Sequence, residues 1–87
     1  MHIRRKASSG TMQSSDLMVT VEPSDLLQIE IESTVKKQFE HLIRAQITAT
    51  LEHLGVTTGR IQISDRGALD YAIAARIETA IRRASEE

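Results

Sequence analysis

The sequence predicts an α+β domain in two layers, a small sheet with both helices packed on one face, in the order strand, strand, helix, strand, helix. Three observations predict it. Apolar and polar residues alternate in three short runs, the period-two mark of half-buried strands. In two longer runs apolar residues recur at three- and four-residue steps, the mark of amphipathic helices. Each strand then has one apolar face and each helix one apolar stripe, and two helices laid on one side of a sheet bury all of them in a single core.

Residues 1–16 show no periodicity and are expected to be a flexible segment, with residues 17–87 as the single folded domain. Leu17, Val19 and Val21 alternate with Met18 and Thr20 in the first strand, which Pro23, Ser24 and Asp25 punctuate. Leu27, Ile29 and Ile31 alternate with Gln28, Glu30 and Glu32 in the second, and the short connection predicts that the two strands form a hairpin. This leaves Glu30 and Glu32 in water or against a partner.

After Ser33, read as an N-cap, Val35, Phe39, Leu42, Ile43, Ile47, Leu51 and Leu54 mark the stripe of the first helix, which Gly55 stops. Ile61 and Ile63 alternate with Gln62 and Ser64 in the third strand, and Asp65, Arg66 and Gly67 turn the chain. Leu69, Ala72, Ile73, Ile77, Ala80, Ile81 and Ala84 form the stripe of the second helix. Arg76 interrupts that stripe, so its apolar stem must run along the edge of the core and deliver the guanidinium to water or a partner. The pattern leaves strand order open.

Length and composition narrow the function classes. Eighty-seven residues suit one small domain with a thin core. The absence of cysteine removes disulfides and thiolate metal sites and favours an intracellular, cytoplasmic protein. A formal net charge of −1 gives no overall attraction to nucleic acid or anionic lipid. One Tyr and one Phe offer little stacking surface for bases. Arg4, Arg5 and Lys6 precede the first acid, Asp16, but no apolar core follows them as a secretory signal requires. Gly10 and the lack of an apolar stripe speak against a transit peptide, and no apolar run is long enough to cross a bilayer.

Catalytic groups are scarce. His41 and His53 lie roughly 120° apart around the first helix at 3.6 residues per turn, so with His2 they read as solvated side chains and not as a metal set. No serine sits in a Gly-x-Ser-x-Gly elbow, and the glycines match neither common phosphate-binding loop. Asp65 and Asp70 flank the start of the second helix, where carboxylates cap and complement the dipole. Backbone amides near Gly67 and Ala68 offer a phosphate contact that Asp70 opposes. Ser8, Ser9, Ser14 and Ser15 are poor nucleophiles alone but open to a modifying enzyme that supplies the base. Composition by itself favours an unmodified linker there.

Three ordered motifs add to this reading. "GTMQSSDLM" carries Gly10, Thr11, Ser14 and Asp16; "ESTVKKQFEHLIRAQI" carries Val35, Lys37, Gln38 and Phe39; "DRGALDYAIAARIETAIRRAS" carries an Asp-x-Gly-Ala-Leu-Asp run and the pair Ala75 and Arg76. Together they resemble the acyl carrier protein, or gamma chain, of citrate lyase over essentially the whole chain. The resemblance implies a non-catalytic carrier with Ser14 as the covalent attachment site for a triphosphoribosyl-dephospho-CoA group. A prosthetic-group transferase would install that group, and its thiol would shuttle acetyl and citryl groups between the alpha subunit, a citrate CoA-transferase, and the beta subunit, a citryl lyase. No nucleic acid or membrane partner is implied. Ser15 departs from the family, which commonly has glycine there, and Asp16, from its place two residues after Ser14, is a candidate for orienting the transferase or its metal ion. One alternative is the carrier of a malonate decarboxylase-type complex. Another is a non-enzymatic module that binds protein or nucleic acid through the basic tail.

Overall fold

The computed structural model describes residues 1–34 and 37–86. The elements are β1 (Ala7–Gly10), β2 (Leu17–Glu22), β3 (Leu27–Ser33), a 3₁₀ turn (Lys37–Phe39), α1 (Glu40–His53), β4 (Gly59–Asp65) and α2 (Asp70–Ser85). The predicted α+β class holds: four strands form one sheet, and the helices cover one face of it. The sheet runs β1-β2-β4-β3, with β2 antiparallel to β1 and β4, and β3 parallel to β4.

Alternation decides what is buried. Leu17, Val19, Val21 and Ile61 are fully enclosed, and Ile63 is nearly so. Against them pack Ile43, Ile47 and Leu51 of α1 and Ile73, Ile77, Ala80, Ile81 and Ala84 of α2, all in one cluster. α2 lies over β1 and β2, while α1 lies beside it and touches β3. The other face of the sheet is polar. There Arg60 bonds Glu22 and Glu30, each at 3.0 Å, and Arg66, just after β4, bonds Glu32 at 2.7 Å, so both glutamates left to water or a partner pair within the chain.

The predicted hairpin between the first two alternating runs does not form. β4 inserts between β2 and β3, and β3-α1-β4 makes a parallel crossover instead. Alternation says which face of a strand is buried but not which strand lies beside it. β4 has no exposed residue and takes a central place, whereas β3 exposes Leu27, Gln28, Glu30 and Glu32 and takes an edge.

Ser33 is not an N-cap. It ends β3, and its hydroxyl donates to Asp65 Oδ2 at 2.8 Å. The helix proper starts at Glu40, after the 3₁₀ turn, and Val35 lies outside the described residues. Three predicted stripe members are instead exposed: Phe39 at 45%, Leu42 at 57% and Leu69 at 57%. Phe39 sits on the 3₁₀ turn, which breaks the phase of the stripe. Leu42 is one residue, about 100°, away from the buried row of Ile43, Ile47 and Leu51. Leu69 precedes α2 in an extended conformation, off the helical stripe.

β1 is an element the alternation did not predict. Its sequence, "ASSG", buries Ser9, and it pairs with β2 from Ala7 opposite Val21 to Gly10 opposite Met18. Ahead of it Ile3 is buried, and the amides of Arg4 and Arg5 donate to Ala84 O at the end of α2. The Arg5 side chain bonds Arg83 O and pairs with Glu86, so part of the basic tail lies along the end of that helix. Among the described residues no helix is long and apolar enough to cross a membrane.

Candidate functional site

β1 and β2 form a hairpin whose loop, residues 11–16, holds Ser14. Gly10 starts the loop at φ +92°, a region that L side chains rarely adopt. A Cβ there would fall 1.8 Å from Leu17 O and 3.4 Å from Arg76 Cδ, so only glycine lets the two strands and α2 close together. The amide of Thr11 then donates to Leu17 O at 3.1 Å, that of Gln13 to Thr11 Oγ1 at 3.2 Å, and that of Asp16 to Gln13 O at 3.2 Å.

A reciprocal backbone pair fastens this loop to the segment after β4. Ser15 N–H donates to Arg66 O, and Arg66 N–H donates to Asp16 O, both at 2.8 Å. Ser15 adopts φ +65° to make that contact, and it is the only non-glycine residue at positive φ among the described residues. The glycine that the resemblance places here thus has a conformational reason, since a side chain at this φ brings Cβ against the carbonyl.

Asp16 is the hub of the loop. One carboxylate oxygen, Oδ1, accepts from Leu17 N–H at 2.8 Å and Arg76 Nε at 3.2 Å. The other, Oδ2, accepts from Thr11 Oγ1 at 2.8 Å and Arg76 Nη2 at 3.2 Å. The Thr11 hydroxyl, the Leu17 amide and then the Arg76 guanidinium hold this carboxyl below its ordinary value, outweighing the opposing effect of burial. Arg76 therefore sends its guanidinium to a partner within the chain, and the first and third motifs meet at this fork. An arginine in an apolar stripe was the available signal of a nearby carboxylate, but spacing could not say which one.

The loop's hydrogen bonds run through Thr11, Gln13, Ser15, Asp16 and Leu17, while Ser14 is exposed between them. Its hydroxyl is presented to solvent on a turn held from both sides. Ser8 and Ser9 lie in β1, Ser9 buried, and Ser15 is exposed beside Ser14. His2, His41 and His53 are exposed, the last two on α1.

Asp65 is buried at the end of β4, opposite Leu17 in the register, where it accepts from Ser33 Oγ and from Ala68 N–H at 3.0 Å. It thus ties β3 to the entry of α2, and the Ala68 amide proposed for a phosphate is already engaged. The N-cap of α2 is Leu69, which makes no side-chain cap. An open groove of about 410 Å³ lies at this end of the sheet, walled by Phe39, Leu42, Ile43, Ala68 and Ile73, with Gln46, Asp65 and Asp70 as its polar members.

Comparison with known proteins bears on the fold and the family. Residues 4–84 match a family model described as ACP: malonate decarboxylase delta subunit (MdcD). The fold is similar to a chain in the crystal structure of a Pseudomonas malonate decarboxylase hetero-tetramer in complex with malonate. That similarity has a TM-score of 0.82 at 22% identity and covers 95% of this chain and 87% of the other. Fold and matched model define the class: an α+β acyl carrier domain. Sequence then narrows it. The chain is 52% identical to the citrate lyase acyl carrier protein of Halothermothrix orenii, over 99% of this chain and 93% of the relative. It is 47% identical to that of Streptococcus mutans over 99% and 86%, and 45% identical to that of Haemophilus influenzae over 100% and 92%. The chain belongs to the citrate lyase acyl carrier protein family.

Proposed function

We propose that this chain is the acyl carrier of a citrate lyase complex and that Ser14 is the residue to which its prosthetic group is attached. The observation that carries the attachment site is the loop: Ser14 is exposed on a hydrogen-bonded turn, while Asp16, Thr11 and Ser15 around it are engaged in holding that turn. Attachment replaces the Ser14 O–H bond with an O–P bond to the innermost phosphorus of the triphosphate. Pyrophosphate leaves, and the hydroxyl proton passes to a base of the transferase. The exposed hydroxyl fits such a phosphodiester, because nothing in the loop's bonding has to break for oxygen to become the bridging atom.

The group is a triphosphoribosyl-dephospho-CoA derivative, and when bound it supplies the thiol on which acetyl and citryl groups are carried. The chain's own part is to present the attachment point and to dock in turn with the alpha subunit, which exchanges acetyl for citryl, and the beta subunit, which cleaves citryl into oxaloacetate and the regenerated acetyl thioester on the carrier. The setting is the cytoplasm. A malonate decarboxylase-type carrier is the second reading, favoured by the matched family model and the fold neighbour. The sequence relatives favour citrate lyase. Genomic neighbours encoding a citrate CoA-transferase and a citryl lyase separate the two.

The decisive experiment is intact-mass analysis and peptide mapping of the protein isolated from its own host during citrate fermentation. The expected result is one adduct on Ser14, absent from Ser14→Ala. A wholly unmodified chain in an active lyase complex, or an adduct mapped to Ser15, would overturn the assignment.

A further inference from the structure

We propose that Arg76 is a positioning residue for loading: through Asp16 it holds the loop of residues 11–16 in the one form that the modifying enzyme recognises. The inference rests on Ser14 as the attachment residue and assigns the recognition to residues remote from the hydroxyl. Arg76 stands on α2, sixty positions along the chain from Asp16, and reaches it with two nitrogens on two oxygens. Such a fork fixes direction as well as distance, which a single contact does not. The same two oxygens collect Thr11 Oγ1 and Leu17 N–H, so one guanidinium orients a carboxylate that in turn spans both ends of the loop.

The fork is placed to act on the loop more than on the fold. The Arg76 side chain is 42% exposed while Asp16 is only 16% exposed, so the pair sits where α2 meets the hairpin and outside the main core. The stem of Arg76 passes the point where a Cβ on Gly10 would lie, and that glycine lets α2 approach the start of the loop. Without the fork, Asp16 keeps Leu17 N–H, Thr11 Oγ1 and the backbone bond from Arg66, but its carboxylate loses the anchor to α2. The loop then exchanges among several forms, and Ser14 is correctly presented only part of the time.

A fractional population of the competent form gives a particular kinetic result. The apparent affinity falls by that fraction, while turnover at saturation is retained, because the enzyme binds and processes the competent form as before. A residue touching the reacting atoms would lower kcat instead.

The test uses the full apo chain, the prosthetic-group transferase and the triphosphoribosyl-dephospho-CoA precursor. Arg76→Gln keeps most of the stem while removing the charge and the fork. It is expected to raise KM for the carrier about tenfold with kcat within about twofold, the pattern of a competent fraction near one tenth. Arg76→Lys, which keeps charge without the fork, should fall between the two. Ile47→Val, a core change in α1, which packs on α2 and β3 and not on β1 or β2, controls for lost stability and should leave KM unchanged. Amide hydrogen exchange at Thr11, Ser15 and Asp16 should quicken in Arg76→Gln and not in Ile47→Val. A wild-type KM in Arg76→Gln, or an equal rise in Ile47→Val, overturns the inference. Peptide mapping of the loaded wild type keeps the two proposals apart: an adduct away from Ser14 refutes the attachment site, whereas an adduct on Ser14 with unchanged KM in Arg76→Gln refutes only the role of Arg76.

Discussion

Ser15→Gly should make the protein more stable, and the reason lies in one dihedral angle. Ser15 is held at φ +65° by the bond from its amide to Arg66 O, and its side chain is exposed. In the left-handed region an L residue carries a penalty of about 1–2 kcal/mol that glycine escapes. Glycine also enlarges the entropy of the unfolded chain, which takes back about 0.4–1 kcal/mol. The difference leaves a gain of about 0.5–1 kcal/mol, or a rise of about 2–8 °C in Tm for a domain of this size. Ser15→Ala removes the same hydroxyl but keeps the Cβ, so it should stay near wild type. The pair therefore separates backbone strain from any contribution of the hydroxyl. Thermal and urea unfolding followed by circular dichroism, with equal m values across the three proteins, measure the effect. If Ser15→Gly is no more stable than Ser15→Ala, the left-handed conformation costs no more than the entropy of the unfolded chain takes back, and the strain reasoning fails. Both variants keep Ser14, the bonds of Asp16 and the fork from Arg76, so with Ser14 as the proposed attachment residue both should also load normally in the transferase assay.

Two further outcomes follow from the same loop. Gly10→Ala sets a Cβ 1.8 Å from Leu17 O at φ +92°, so the hairpin must shift; a loss of at least about 2 kcal/mol is expected, seen as a Tm drop of at least about 8 °C. Asp16 has a folded pKa below its ordinary 3.8, so its bonds stabilise the fold fully above that value, and the stabilisation is lost as pH falls through the lower, folded pKa. The stability gap between wild type and Asp16→Asn should therefore be constant above about pH 5 and narrow as acid protonates the folded carboxylate, as urea midpoints would record. A gap that does not change with pH would show that ionisation of Asp16 contributes nothing.

What could be read in the sequence was whatever repeats along the chain. Leu17, Val19 and Val21, or Ile73, Ile77 and Ile81, declare their buried face by spacing, and the structure buries them all. Neighbours in the sheet are set by contacts between distant segments, so the same alternation was compatible with a hairpin of β2 and β3 or with β4 between them. β1 had no alternation to read, because its one buried side chain is the small Ser9 and its order comes from pairing with β2. Phe39, Leu42 and Leu69 have the right spacing but fall where a 3₁₀ turn, a phase step or an extended cap turns them outward. Chemistry alone offered four equivalent serines, and only the family motifs singled out Ser14. The strain at Ser15 and the fork from Arg76 to Asp16 are properties of a closed loop, which no local pattern encodes.

The way the loop is held bears on how a carrier reaches two active sites. A flexible N-terminal segment would give reach by moving the attachment point. Here Ile3 is buried, Ala7–Gly10 pair with β2, and residues 11–16 are bonded to Leu17, Arg66 and Arg76. With Ser14 as the proposed attachment residue, the root of the arm is bonded to the sheet and α2, and the reach would come from the arm and from docking of the whole domain. That arrangement serves two demands that conflict in a loose tether. A loading enzyme needs one defined shape around Ser14, because every disordered form reduces its apparent affinity. A tethered thioester needs only an arm whose length matches the span between sites, since effective concentration falls when the tether is longer than that span. A fixed root with a mobile arm meets both, which is why loosening the root at Arg76 should impair loading while leaving the length of the arm, and so its reach, unchanged.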